Sequence, residues 1–429
     1  MHYTAFAARL QLAEKAIGAC RRALQLRTMA SAGVVAGERA SGSPLITPVK
    51  VGDLQLSHRI AMSPMTRLRM TPGTELPNDL VATHYEQRAS EGGLIITECA
   101  YVVPEGRGYV RAPGMVTDEQ ATAWRPVVER VHARGGAMYM QLFHAGRVSH
   151  SSLVGNKPTV SASPVGMAGQ LYVEGGVKAD YQVPRELSTE EVEGLPASFA
   201  QAAVRAVQLG GFDGVEIHGG NGYLLQSFLA KKTNLRTDKY GGSMANRARL
   251  ILEVVDAVAA AIGPQRTGVK LQPGVTFSDL IEPQEDVRET LDYLAPELSK
   301  RNLAYVALST LNGEPYYKFA GLPAPNVSFD MFRHFRAAFK GTLCINGGLG
   351  IEQGEQYVSE GVADLVTYGV HFIANANLPE LVAAGVGTGG LNMGSYNASV
   401  WYSKNPEQDA VGYTDWPLVQ PASKKEAAA

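Results

Sequence analysis

Cysteine is nearly absent: the chain of 429 residues has three, Cys20, Cys99 and Cys344. They stand too far apart for the paired spacing that zinc, an iron–sulfur cluster or a redox dithiol requires. A disulfide framework is not expected either, which fits a reducing interior, and the chain reads as intracellular. An excess of charge of one sign is missing too. The 39 Lys and Arg nearly cancel the 41 Asp and Glu, so there is neither the basic footprint of a nucleic-acid binder nor the acidic surplus of a disordered chain. No uninterrupted apolar run is long enough to span a bilayer, and no membrane partner is expected. What is present is bulk: 45% hydrophobic residues over this length can bury a large core, which rules out a miniprotein stapled by metal or disulfides.

Residues 1–42 differ from the rest. Arg9, Lys15, Arg21, Arg22 and Arg27 alternate with Ala and Leu, opposed only by Glu14 and Glu38, and a small-residue tract follows. That composition suits an organelle transit peptide, with a plain extension as the alternative. The location is then plastid or mitochondrion in the first case and cytoplasm in the second. Residues 421–429 read as a flexible tail, leaving 43–420 for one folded domain.

Within that domain two short apolar runs flank Gly52-Asp53, predicting a β-hairpin. Eight apolar segments of strand length then recur at 60–65, 93–98, 137–143, 214–218, 268–271, 305–308, 342–346 and 365–368, each bounded by Gly, Pro or polar residues. Helical periodicity lies between them, as at 118–134 and 246–262. Ser188 with Glu191 three residues on marks another helix start, with Pro196 predicting a kink or a delayed start. Alternating strands and helices give an α/β protein. A (β/α)8 TIM barrel with an N-terminal β-hairpin is the economical solution, and a doubly wound open sheet is the alternative. Residues 148–184 are rich in Gly, Ser and Pro and too long for an ordinary connection, so a functional excursion after the third barrel strand is expected. Gly385-Val-Gly-Thr-Gly-Gly390 matches GxGxxG literally, but it follows a helical segment and opens no helix, so it is not a dinucleotide fingerprint.

A barrel carries its chemistry at the carboxyl ends of its strands. Those ends are poor in carboxylates and offer no paired acids and no serine in a nucleophile elbow. They are rich in neutral hydrogen-bonding groups. His218, Asn221 and Tyr223 follow one apolar strand. Imidazole and carboxamide donors there could grip a carbonyl oxygen and stabilise charge on it, with a phenol beside them to supply a proton. The spacing alone leaves open a backbone-satisfied histidine with a core tyrosine. A metal shared by His144 and His218 lacks a carboxylate partner at suitable spacing, and none is expected. Gly347, Gly348 and Gly369 fall at the last two strands, where backbone N–H groups of barrels commonly cradle a phosphate.

At these residues the chain resembles the Old Yellow Enzyme family of FMN-dependent ene-reductases, which includes the 12-oxophytodienoate reductases. The resemblance runs from about 45 to 417. It includes Pro64-Met65-Thr66-Arg67, the segment from Gln141 to Arg147, His218-Gly-Gly-Asn-Gly-Tyr223, and Asn234-Leu-Arg-Thr-Asp-Lys-Tyr-Gly-Gly-Ser243 with Asn246 and Arg247. Ala363-Asp364, Phe372–Asn375 with Leu378-Pro379, Tyr402 and Gly412-Tyr-Thr-Asp415 complete it. It implies a non-covalent FMN, NADPH as reductant and a small-molecule enone as substrate, in a monomer or homodimer. Pro64, Met65 and Thr66 would line the flavin, Thr66 near its C4 carbonyl, and Gln141 would bond its pyrimidine edge. His218 and Asn221 would hold the substrate oxygen, Tyr223 would protonate the α-carbon, and Phe143 and Tyr402 would shape the substrate cavity.

Three positions depart from the family pattern. Lys270 stands where the family usually has Arg near flavin N1; the charge remains and the planar fork is lost, so a shifted redox potential is expected. Val370 replaces an Arg after Gly369, leaving the phosphate to the glycine amides with His371 beside them. Cys99 replaces a Gly or Ala beside the flavin. A flavin-binding sensor without turnover is the competing reading, opposed by the complete His218, Asn221 and Tyr223 set. A dienoyl-CoA reductase is dismissed by the scattered cysteines and the missing dinucleotide domain.

Overall fold

A computed structural model describes residues 42–274, 277–310, 327–403 and 405–419. The transit-peptide candidate, Cys20 and the tail lie outside the described residues. In Ser43–Ala429, one of the two units into which the chain divides, the apolar segments form strands. The hairpin is β1 (Val49–Val51) and β2 (Leu54–Leu56), paired antiparallel. Gly52 turns it with φ 58°, and a Cβ there would stand 1.9 Å from the Gln265 carbonyl oxygen. Only glycine satisfies both demands.

The remaining strands are β3 (Ile60–Met62), β4 (Leu94–Ile96), β5 (Ala100–Tyr101), β6 (Ala137–Phe143), β7 (Val160–Ser161), β8 (Gln170–Tyr172), β9 (Lys178–Asp180), β10 (Arg185–Glu186), β11 (Gly214–Gly219), β12 (Thr267–Leu271), β13 (Tyr305–Ser309), β14 (Leu343–Asn346) and β15 (Leu365–Tyr368). β3, β4, β6 and β11 to β15 pair in parallel, and β6 with β11 closes the ring. The eight-stranded barrel is therefore the fold, and the open sheet is not. β3 stops at Met62, earlier than its apolar run, because Pro64 has no N–H for the ladder. Residues 63–67 leave the rim and enter the site.

Two packings hold the barrel. Outward residues such as Val215 and Ile217 meet helix residues such as Phe199, Ala202 and Val255. Below, Tyr139 and Tyr305 cross the interior with ring centroids 5.9 Å apart. Each ring needs a glycine opposite: a Cβ on Gly214 or Gly268 would lie 2.5 Å or 2.6 Å from it. Val49, Val51 and Leu56 of the hairpin join this lower cluster and seal it. Truncating the buried Leu56 to Ala would cost about 2–5 kcal/mol.

Helix Asp118–Ala133 opens on a capping box of Thr117 and Gln120, and helix Thr189–Gln208 on the expected box of Ser188 and Glu191. The latter starts on time and runs through Pro196, so the delayed start does not occur. The GxGxxG match follows helix Leu378–Ala383 and ends in the 3-10 turn Thr388–Gly390, away from any strand. Among the described residues no helix is long and apolar enough to cross a membrane.

Candidate functional site

A cavity of about 940 Å³ opens at the carboxyl ends of the barrel strands. β11 delivers the central cluster. His218 and Asn221 line the cavity, and Tyr223 follows as the N-cap of helix Leu224–Leu229. His218 Nδ1 accepts the Gly220 N–H at 3.1 Å, so the ring proton sits on Nε2 and is offered outward. Burial, with the Lys270 charge added, pushes the His218 pKa well down. The ring is a neutral donor rather than an acid. Asn221 has φ 58°, a left-handed conformation that Asn tolerates better than most residues. Its N–H donates to Gln272 Oε1 at 3.2 Å and its carbonyl accepts from Ser278 Oγ at 2.8 Å.

Tyr223 meets the His218 ring edge-on, with centroids 5.0 Å apart. Its hydroxyl shares a 2.7 Å hydrogen bond with Tyr109, and burial raises its pKa well above the ordinary phenol range. It holds its proton at neutral pH. Phe143 does not line the cavity; it packs edge-on behind Tyr223 at 5.2 Å, so its contact with a substrate would be through that tyrosine. Tyr402 lies at the mouth, 46% exposed.

The other predicted residues share the same cavity. Pro64, Met65 and Thr66 form one wall, with the Thr66 hydroxyl 3.4 Å from Cys99 Sγ. Burial pushes the Cys99 thiol up to about 12, so it stays protonated. Gln141 from β6 and Lys270 from β12 lie at the barrel end of the cavity, and Gly347, Gly348, Gly369 and Val370 at the ends of β14 and β15. Among the described residues no group of three His, Cys, Asp or Glu could hold a metal ion.

These residues suit FMN, with a basic side chain for the ring and backbone amides for the phosphate. Lys270 lines the cavity, 7% exposed, and makes no hydrogen bond or ion pair among the described residues, which leaves its head group for a ligand; burial lowers its pKa and the Glu216 charge opposes this. Gly347 has φ 144°, and a Cβ there would stand 2.2 Å from the Thr310 carbonyl oxygen. The N–H groups of Gly347 and Gly348 find no partner among the described residues, as an anion cradle requires. Val370 opens only the short helix Val370–Ala374.

Several contributors were not legible beforehand. Tyr109 and Tyr181 line the cavity. The hairpin of β8 and β9, within the excursion expected after the third barrel strand, brings Leu171 and Tyr172 to the wall. Residues 400–403 and 405–413 border the mouth, and arginines bind their backbone. Arg67 donates to the carbonyls of Trp401 and Gly412, both at 2.8 Å, and Arg69 to Asp409 at 2.7 Å and Val411 at 3.0 Å. Arg111 grips the Asp409 carboxylate with both terminal nitrogens. Arginine's rigid fork suits such multiple acceptors.

The sequence profile of the NADH:flavin oxidoreductase / NADH oxidase family matches residues 44–388. The chain is 38% identical over 389 residues to 12-oxophytodienoate reductase 2 of Arabidopsis thaliana, covering 90% of this chain and 99% of that protein. It is 36% identical over 390 residues to 12-oxophytodienoate reductase 1 of Oryza sativa subsp. japonica, covering 89% and 94%. Among solved structures, morphinone reductase in complex with tetrahydroNAD superposes with a TM-score of 0.77 at 38% identity, covering 88% of this chain and 98% of that one. The old yellow enzyme homologue from Zymomonas mobilis superposes at 0.79 with 33% identity, covering 87% and 99%.

Proposed function

This chain belongs to the NADH:flavin oxidoreductase / NADH oxidase family, the Old Yellow Enzyme group, and is a flavin-dependent oxidoreductase; on that premise we propose that it is an NADPH-dependent ene-reductase acting on α,β-unsaturated carbonyls and related activated alkenes. The observation that carries the reading is the pairing of a neutral His218 Nε2–H donor with a protonated phenol, Tyr223, against the same ring.

FMN, when bound, supplies the hydride. His218 and Asn221 hold the substrate oxygen and draw electron density toward it, which makes the β-carbon electrophilic. Because His218 is neutral, it stabilises developing charge on that oxygen without giving up its proton. Tyr223 holds the proton destined for the α-carbon. The phenolate left behind would be costly in a buried site; Tyr109, at 2.7 Å, can donate a hydrogen bond to it. The resident cofactor carries the redox chemistry and the barrel supplies orientation and dipoles. A small alkene is the partner of this reading, which calls for neither nucleic acid nor membrane and works equally in a monomer or a homodimer.

The test is a two-step anaerobic titration. The purified protein should be yellow, bleach with NADPH, and recover its colour on adding cyclohexenone. A colourless protein indifferent to added FMN overturns the cofactor. Bleaching without recovery on any enone overturns the alkene reading and favours a flavin-binding sensor. NADH in place of NADPH should bleach more slowly.

A further inference from the structure

One carboxylate in the barrel interior has no part in the chemistry above. Glu216 lies on β11 two residues before His218, so strand alternation turns both side chains inward. It is fully buried, which a carboxylate tolerates only with partners. Oε1 accepts from Gln141 Nε2 at 2.8 Å and Oε2 from the Tyr305 hydroxyl at 3.0 Å. Tyr305 reaches it over Gly268, where a side chain would collide with the ring. The nearby buried cation is Lys270, in register with His218 on the adjacent strand. The two charges act on each other through space: burial pushes Glu216 toward its neutral acid and Lys270 opposes this, while burial pushes Lys270 toward its neutral amine and Glu216 opposes that.

We infer that Glu216 is a positioning residue for the flavin end of the cavity, setting the orientation of the Gln141 amide and moderating the pull of Lys270 on an anionic ring. The inference rests on the FMN reading above. Both Glu216 oxygens accept, one from Gln141 and the other from Tyr305, as an ionised carboxylate does, so Gln141 gives it the NH2 end. The carbonyl oxygen of Gln141 is then left for the cavity, where it complements the imide N–H of a pyrimidine ring. Lys270 favours negative charge on that ring, and Glu216 opposes it at longer range. Dissociation constants for oxidised and reduced FMN read both effects without turnover.

In Glu216→Gln the ratio of the oxidised to the reduced constant should rise on the order of tenfold, because the opposing charge is gone. In Lys270→Met the ratio should fall. Equal weakening of both oxidation states in Glu216→Gln would show a purely structural carboxylate and overturn the proposal. Should that variant not fold, the wild-type holoprotein still decides. After removal of FMN it should bind N3-methyl FMN at least about tenfold more weakly than FMN, the loss of one buried hydrogen bond. Equal affinity for the two overturns the assigned amide orientation. Failure of the wild type to bind FMN at all would instead sink the reading on which this one rests.

Discussion

His144 and His218 close the same kind of turn at the ends of two adjacent strands. In each, Nδ1 accepts the backbone N–H two residues on, at 3.0 Å for Gly146 and 3.1 Å for Gly220. Each ring is 3% exposed and kept neutral chiefly by burial. Yet only His218 lines the cavity. His144 is covered by Gly106, where an added Cβ would stand 3.1 Å from its ring, and its carbonyl accepts the Leu224 N–H at 3.0 Å. It locks the loop after β6 onto the helix that starts behind Tyr223. The same local geometry thus serves structure at one strand end and ligand binding at the next, and the difference lies in what other segments bring opposite the ring.

The largest effect that would sharpen this contrast is in the partner only His218 has. Tyr223→Phe should slow alkene reduction by about 10²–10⁴-fold, the usual contribution of a general acid, while flavin reduction by NADPH is unchanged in stopped-flow traces. Equal slowing of both half-reactions would remove the proton-donor role. Next, His218→Ala should cost about 10²–10³-fold in turnover, the scale of one lost oxyanion donor, and should weaken binding of phenolic ligands. His144→Ala should lower thermal stability and leave phenol affinity intact. Equal loss of affinity in the two variants would break the comparison.

The last effect is in acid and appears in stability rather than in turnover. His144 is depressed from 6.5 to about 4. Above pH 6.5 neither the folded nor the unfolded state binds its proton. Between 6.5 and about 4 the unfolded chain takes a proton that the folded ring refuses, so stability falls on acidification, by ~3 kcal/mol at the end of the window. Denaturant unfolding of His144→Gln should show a shallower loss over that range. An unchanged slope would mean that the ring is protonated when folded.

The barrel was largely legible. Runs such as 365–368 and 305–308 matched their strands because an all-parallel strand is buried on both faces and reads as a continuous apolar segment. Proline and glycine marked the ends. His218 and Tyr223 were visible because one strand end delivers both. Tyr109 was not, since it meets Tyr223 from a loop 114 residues away and no local spacing encodes that. Nor was the role of Arg67, whose partners are carbonyls more than 330 residues on. Glu216 did leave a signal: a carboxylate at an inward position of an otherwise apolar strand must have buried partners, although which partners could not be read. The family resemblance implies Phe143 at the substrate cavity, but its ring is fully buried behind Tyr223.

Sequence by itself determined the eight strands, the sealing hairpin and the strand ends that carry polar groups, because hydrophobic periodicity, glycine turns and the missing proline N–H are local constraints. Tertiary structure alone decided which of two matching histidines faces the ligand, which tyrosine answers Tyr223, and how the Gln141 amide is turned. Those outcomes depend on contacts between segments far apart in the chain, where the cost of an unpaired buried polar group selects the partner.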